Sequence, residues 1–244
     1  MKLLSILGGA LAGLLSLQAC ASKGLVDVSV YDRAEGKRLP VHWHAGRAWV
    51  AGKPGNDYLL KLQNRSGEPL LAVVSVDGVN VITGENADPQ QSGYVLAPGR
   101  SIDILGWRKS LSQTAAFYFT DLGDSYAART GRPGNVGVIG VALYRKKLPL
   151  PPPAALGRAE ESAAAARPAD AENRLGTGHG QREHSQAYYA EFERASRTPA
   201  EIVTLYYDSR ENLLARGVLT EPQPFPGFVP DPPGVKLPSH GGHG

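Results

Sequence analysis

The sequence predicts a mainly β fold, an antiparallel β-sandwich or jelly-roll-like domain with a small C-terminal α/β appendage. Two observations carry this. Hydrophobicity from Gly24 to about Lys147 repeats with a period of two, the spacing of a strand with one face buried. The 244 residues also include 29 Gly and 19 Pro, a composition of turns rather than of long helices.

The chain opens with an export signal. Lys2 supplies a short positive start, and residues 3–17, LLSILGGALAGLLSL, form an apolar run too short to span a bilayer comfortably. Residues 1–19 therefore read as a lipoprotein-type signal peptide. The motif LQAC, ending at Cys20, resembles a bacterial lipobox, which implies cleavage before Cys20 and acylation of that residue. Cys20 is the sole cysteine, so no disulfide forms within the chain, and a lone thiol at the signal boundary is explained by a palmitate-type lipid anchor. Acyl chains contribute about 0.8 kcal/mol per buried CH₂. With Ala21 following the cysteine, the resemblance implies the outer membrane, facing the periplasm. Gln18 departs from the lipobox pattern, and ACA also satisfies ordinary signal-peptidase cleavage. A periplasmic or secreted chain without acyl groups, and an uncleaved anchor, stay open.

Residues 24–147 make the sandwich. LVDVSVYD alternates Val26, Val28 and Val30 with Asp27 and Ser29, and PVHWHA, RAWVAG, DYLLKLQN, SIDILGW, AAFYFTD and NVGVIGVALYRK follow as further strands. In VVSVDGVNVITG, Asp77-Gly78 lies between two Val-rich arms, the signal of a two-residue hairpin whose turn positions both need φ > 0. KPGN, NRSGEP, APGR and GRPGN mark other turns. Short strands so spaced argue for a sandwich or jelly roll.

Residues 148–173 change to Pro- and Ala-rich composition and read as a surface linker with a brief helix in its Ala-rich middle. Residues 174–220 read as a helix–strand–helix segment packing on the sandwich. SQAYYAEFERASR places Tyr188, Phe192 and Ala195 on one helical face behind an N-cap at Ser185. EIVTLYYD is a strand covered on both faces, a candidate to join the preceding sheet. SRENLLARGV is a capped helix, opened by Ser209, closed at Gly217, with Val218 placed to touch Leu213. Residues 221–244 hold seven prolines and end HGGHG, the composition of a disordered tail.

The stretches SVDGVNVITGE, QSGYVLAPG, GWRKS, SYAARTGRPGNVGVIGVA and LGTGHGQRE together resemble a family of uncharacterised proteobacterial exported proteins. The resemblance spans most of residues 24–219 and implies export. It implies no activity and no site residues.

Charge limits the partners. There are 26 Lys and Arg against 23 Asp and Glu, a net +3 spread in short mixed clusters, which excludes a nucleic-acid binder. The stretch GTGHGQREH invites a phosphate-binding reading, but its third glycine falls one residue early for the dinucleotide fingerprint and no βαβ unit surrounds it. A loop is expected there. His42 and His44 share a strand face, and with His179 and Glu183 they make a candidate composite metal site, His184 being a further donor. The opposing reading places His42 and His44 on the solvent face opposite Val41 and Trp43, with Gly176, Gly178 and Gly180 allowing a tight approach to the sheet. Asp121, Asp124, Glu85 and Asp88 carry oxygens for calcium but lack the spacing of a calcium loop. Trp107, Arg108, Tyr126 and Arg129 form a candidate aromatic and basic binding patch.

No nucleophile, base and orienting group form a recognised motif. The leading expectation is a non-catalytic envelope lipoprotein, without cofactor, whose sandwich binds an envelope protein or glycan. The alternative is a zinc- or calcium-dependent binding protein or hydrolase using His42, His44, His179 and His184. A third reading has exposed strand edges pairing with a neighbouring subunit.

Overall fold

The structure is a computed structural model that describes residues 24–148 and 175–221. The signal peptide, Cys20, the Ala-rich linker helix and the tail beyond Glu221 lie outside the described residues. The chain forms the expected mainly β sandwich with a small helical part. In order the strands are β1 (Val26–Asp32), β2 (Lys37–Arg38), β3 (Val41–His44), β4 (Arg47–Gly52), β5 (Asp57–Asn64), β6 (Leu70–Val76) and β7 (Val79–Asn80). They continue with β8 (Tyr94–Leu96), β9 (Ser101–Ile104), β10 (Gly106–Arg108) and β11 (Gln113–Asp121), then the short helix α1 (Tyr126–Arg129). After it come β12 (Val138–Arg145), β13 (Leu175–His184), β14 (Glu201–Ser209) and α2 (Arg210–Ala215).

Two sheets pack face to face. The first runs β10–β11–β5–β1–β2, with β13 paired along β11 and β9 paired to β5. The second runs β3–β4–β14–β12–β6–β7, with β8 beside β6. Every pairing is antiparallel except β14 with β4. The predicted alternation is realised: Val26, Val28 and Val30 of β1, and Tyr58, Leu60 and Leu62 of β5, meet Val74 and Val76 of β6 and Ile139, Val141 and Leu143 of β12 in one core. Aromatic rings thread it, with Tyr58 stacked on Phe119 at 4.3 Å between centroids and Trp107 edge-on to Phe117 at 5.2 Å.

The segment after the linker departs from the expected helix–strand–helix order. The GTGHGQREH stretch is strand, not loop: it lies within β13 and pairs antiparallel with β11. The helix expected over 185–197 does not form. The chain there runs without regular helix, because Ser185 and Ala187 donate their N–H groups to Ser112 and Leu111 and so prolong the β11 pairing. EIVTLYYD does join the sheet, as β14 between β4 and β12. It is not covered on both faces, since Ile202 and Thr204 are exposed. The residues that return after the linker thus supply one strand to each sheet. α2 follows the sequence closely: Ser209 Oγ accepts from the N–H of Asn212 at 3.2 Å, and the N–H of Val218 donates to Leu213 O at 2.9 Å.

The predicted hairpin also forms. Asp77 and Gly78 turn at φ 53° and 73° between β6 and β7, the left-handed region that a β-branched or bulky residue resists. This turn is buried, and its carboxylate ties the sheets together. Asp77 Oδ1 accepts from the Gly137 N–H at 2.9 Å and from the Tyr207 hydroxyl at 2.6 Å, while Oδ2 accepts from the Thr177 N–H at 2.7 Å. Thr177 Oγ1 lies 2.6 Å from the Tyr207 hydroxyl and 2.5 Å from the Tyr58 hydroxyl. Each hydroxyl carries one proton. With Asp77 ionised, Tyr207 donates to the carboxylate, so Thr177 must donate to Tyr207 and Tyr58 to Thr177, a chain aligned in one direction.

Burial pushes the Asp77 carboxyl up to about 6 from 3.8, against the hydrogen bonds of Tyr207, Thr177, Gly137 and Val138 that pull it down. Burial also holds the Tyr58 and Tyr207 hydroxyls well above their usual range, with the Asp77 charge adding to it, so both stay neutral. A carboxyl raised on folding contributes stability that is fully present below its unfolded value and is lost as pH rises through its folded value. The shift from 3.8 to about 6 corresponds to about 3 kcal/mol. Asn keeps the left-handed turn but cannot titrate and sets an amide N–H₂ against a backbone N–H. Urea unfolding of wild type and Asp77→Asn at pH 4 and pH 7 will therefore show a mutational penalty larger at pH 4, by about 2 kcal/mol, because the unfolded carboxyl is already partly ionised at pH 4. A penalty equal at both pH values would show that the carboxyl does not titrate in this window.

Candidate functional site

Within β13 the glycines alternate with core residues. Thr177 reaches the Asp77 network, and Leu175 is buried in the main core. The intervening Gly178 lies under the ring of Tyr118, where a Cβ would stand 2.0 Å from Tyr118 Cζ. Gly176 similarly admits Ser125 and Val136, so the expected tight approach is real, made by a strand rather than a loop.

The candidate metal residues are not brought together. His42 and His44 lie on β3, the last strand of the second sheet, whereas His179, Glu183 and His184 lie on β13 of the first. Among the described residues no three His, Cys, Asp or Glu side chains group to hold a metal ion. Trp43, expected to be the covered partner of these histidines, is 76% exposed because β3 ends its sheet. Glu183 Oε1 is taken by Arg33 at 2.7 Å. His179 packs its ring 5.5 Å from that of Tyr126, and its buried Nε2 has no partner among the described residues. Burial lowers the His179 pKa, and the charges of Lys109, Arg129 and Arg182 lower it further. The imidazole is thereby kept neutral, but the charged groups acting on it are cations, which oppose a metal ion. Of the calcium candidates, Asp88 Oδ1 accepts from the Gln90 N–H and Glu85 Oε2 accepts from Gln91 Nε2. Asp121 stands at the N-terminal position of the short turn Leu122–Asp124, with no side-chain hydrogen bond to it.

The expected aromatic and basic patch divides. The Trp107 and Tyr126 rings lie 5.1 Å apart, tilted at 42°, with Trp107 buried in the core, and Arg129 ends α1. Arg108, the next residue along β10, faces the other way and opens onto a groove of about 880 Å³. The groove runs between β8 of the second sheet and β9 and β10 of the first, and residues 185–194 cross it as a strap. Leu71, Ile82, Val95, Ile102, Leu111 and Phe192 give it apolar walls.

The strap is tied at both ends. At its start Arg108 Nη1 donates to Ser185 O at 2.6 Å, and Arg108 Nη2 donates to Ser185 Oγ at 3.2 Å and to the Tyr94 hydroxyl at 3.3 Å. At its end Phe192 packs on Leu71, Val73, Ala142 and Tyr144. Arg194 there stacks over Tyr144 at 4.4 Å and donates to Gln90 Oε1 and Gln91 O. Between these ties, residues 188–192 make no hydrogen bond among the described residues, and Tyr188 and Tyr189 are 83% and 90% exposed. The sequence singled out Arg108, and Phe192 only as part of a helical face that does not form; Tyr94 and Arg194 carry no periodicity or motif that links them to the groove.

Gly178→Ala forces the Tyr118 ring off the strand, so thermal unfolding should show a loss of about 1–3 kcal/mol. Combining it with Tyr118→Ala should cost less than the sum of the two single changes, and strict additivity would contradict the contact. Comparison with protein families, with curated proteins and with solved structures finds no match to the chain.

Proposed function

We propose that the protein is a non-catalytic binding module of the cell envelope, anchored through acylated Cys20 and taking its ligand in the groove beneath the strap. The observation that carries this is the groove itself. Its volume of about 880 Å³ falls within the range of sites for small organic ligands. Its apolar walls come from both sheets, and among its polar side chains Arg108, Tyr94 and Ser185 form one hydrogen-bonded group. Apolar walls supply affinity and a few fixed polar groups supply orientation. The anchoring part rests on LQAC and on Cys20 as the only cysteine, and the resemblance to proteobacterial exported proteins supports export. Ala21 after the lipobox cysteine favours the outer membrane facing the periplasm. No observation favours the metal-dependent alternative, because its histidines stand in different sheets.

Two measurements test the parts separately. In fractionated cells the wild type is expected with the membranes and Cys20→Ala in the soluble fraction; equal partition of the two overturns anchoring. A neutral apolar dye such as Nile red should bind the purified protein. Ala190→Trp, which places an indole in the groove, should weaken that binding by about tenfold. Unchanged dye binding overturns the groove as the site.

A further inference from the structure

The charges around the groove are unevenly matched. Its two carboxylates have partners of their own: Asp103 lies 3.6 Å from Lys61, and Glu193 is paired with Lys147. Its two guanidinium groups, Arg108 and Arg194, bond only neutral acceptors and ring faces among the described residues. Two half-buried cations therefore stand beside an apolar surface with no anion bonded to them among the described residues. A guanidinium so placed gains most from a carboxylate or phosphate, because a charge-assisted hydrogen bond is about twice as strong as a neutral one.

Arg108 is the better placed of the two. Its Nη1 is held by Ser185 O at 2.6 Å, but its Nη2 contacts with Tyr94 and Ser185 are long, at 3.3 and 3.2 Å, whereas both Nη atoms of Arg194 are engaged, at 2.9 Å with Gln90 Oε1 and 2.5 Å with Gln91 O. Its Nε makes no hydrogen bond among the described residues. The Tyr94 and Ser185 hydroxyls accept from Arg108, so the proton of each is free for a further acceptor. One cation and two hydroxyl donors thus meet at the edge of a wall made by Ile82, Val95 and Ile102.

Resting on the groove as the binding site, we infer that its ligand is a long-chain carboxylate, monomeric in solution. The anionic head sits against Arg108, Tyr94 and Ser185, and the aliphatic chain runs along the apolar wall under the strap. An uncharged chain of equal length keeps the apolar contact and loses the charge-assisted one.

Isothermal titration of the full-length protein with decanoate and with 1-decanol, both below micelle formation, tests the inference. Decanoate is expected to bind about tenfold or more tightly than decanol. Arg108→Met should bring the ratio of decanoate to decanol affinity to near one, a ratio that cancels any change in the apolar contact common to both ligands, and Arg108→Lys, which keeps the charge without the planar fork, should restore part of it. Equal affinity for the two ligands, or an equal loss of both in Arg108→Met, overturns the carboxylate while the groove stands on its dye binding. Binding to vesicles of anionic phospholipid without uptake of monomeric decanoate also overturns it. Failure of dye and decanoate alike removes the groove reading as well.

Discussion

The fold depends on one buried carboxylate. Asp77 sits at the hairpin turn between β6 and β7, yet its acceptors are filled by groups from the loop before β12, from β13 and from β14. Thr177 and Tyr207 lie 100 and 130 residues further along the chain. A carboxylate in an apolar core is expensive unless every lone pair is occupied. That requirement ties the late strands to the hairpin: without β13 and β14 in place, its carboxylate loses the Thr177 N–H and the Tyr207 hydroxyl and keeps the Gly137 N–H. The turn conformation suits the task, because Asp is among the few residues other than Gly that tolerate the left-handed region.

The same network explains how two sheets of different composition stay in register. Tyr58 and Thr177 belong to the first sheet and Tyr207 and Asp77 to the second, so the hydroxyl chain crosses the interface between them. Hydrophobic contact between sheets is tolerant of sliding, whereas hydrogen bonds of 2.5 to 2.6 Å between phenol, hydroxyl and carboxylate are not. Asp208 repeats the device beside α2. Its Oδ1 accepts from the Leu175 and Ser209 N–H groups and its Oδ2 from Arg216, tying the start of β13 to the end of β14.

The sandwich was legible where burial imposed alternation. Val26, Val28 and Val30, the Asp77-Gly78 turn, and the cap and closure of α2 are local patterns with local causes. β13 was not legible, because Gly, His, Gln and Arg carry low strand propensity and its pairing is decided by Tyr118 lying over Gly178 and by Thr177 reaching Asp77. The segment 185–197 failed in the opposite sense. Its residues favour a helix, but Ser185 and Ala187 are captured by β11 and Phe192 by Leu71 and Tyr144, and these tertiary ties outweigh a propensity worth a few tenths of a kcal/mol per residue. Of the candidate site, single residues such as Arg108 were visible, and their grouping was not. His42 and His179 looked alike in sequence and stand in different sheets, a separation that only strand order decides.

These constraints also place rigidity and freedom. Residues 175 and 177 of β13 are held by carboxylates at one end of the chain's return, while residues 188–192 of the strap make no hydrogen bond among the described residues. Segments with few hydrogen bonds and exposed side chains open at the lowest free-energy cost. Residues 188–191 of the strap can therefore part from the groove while its ties at Arg108, Phe192 and Arg194 hold. A ligand that enters beneath it gains from fixed walls on two sheets and displaces only the weakest-held part of the molecule, so little stability is lost when the groove is open.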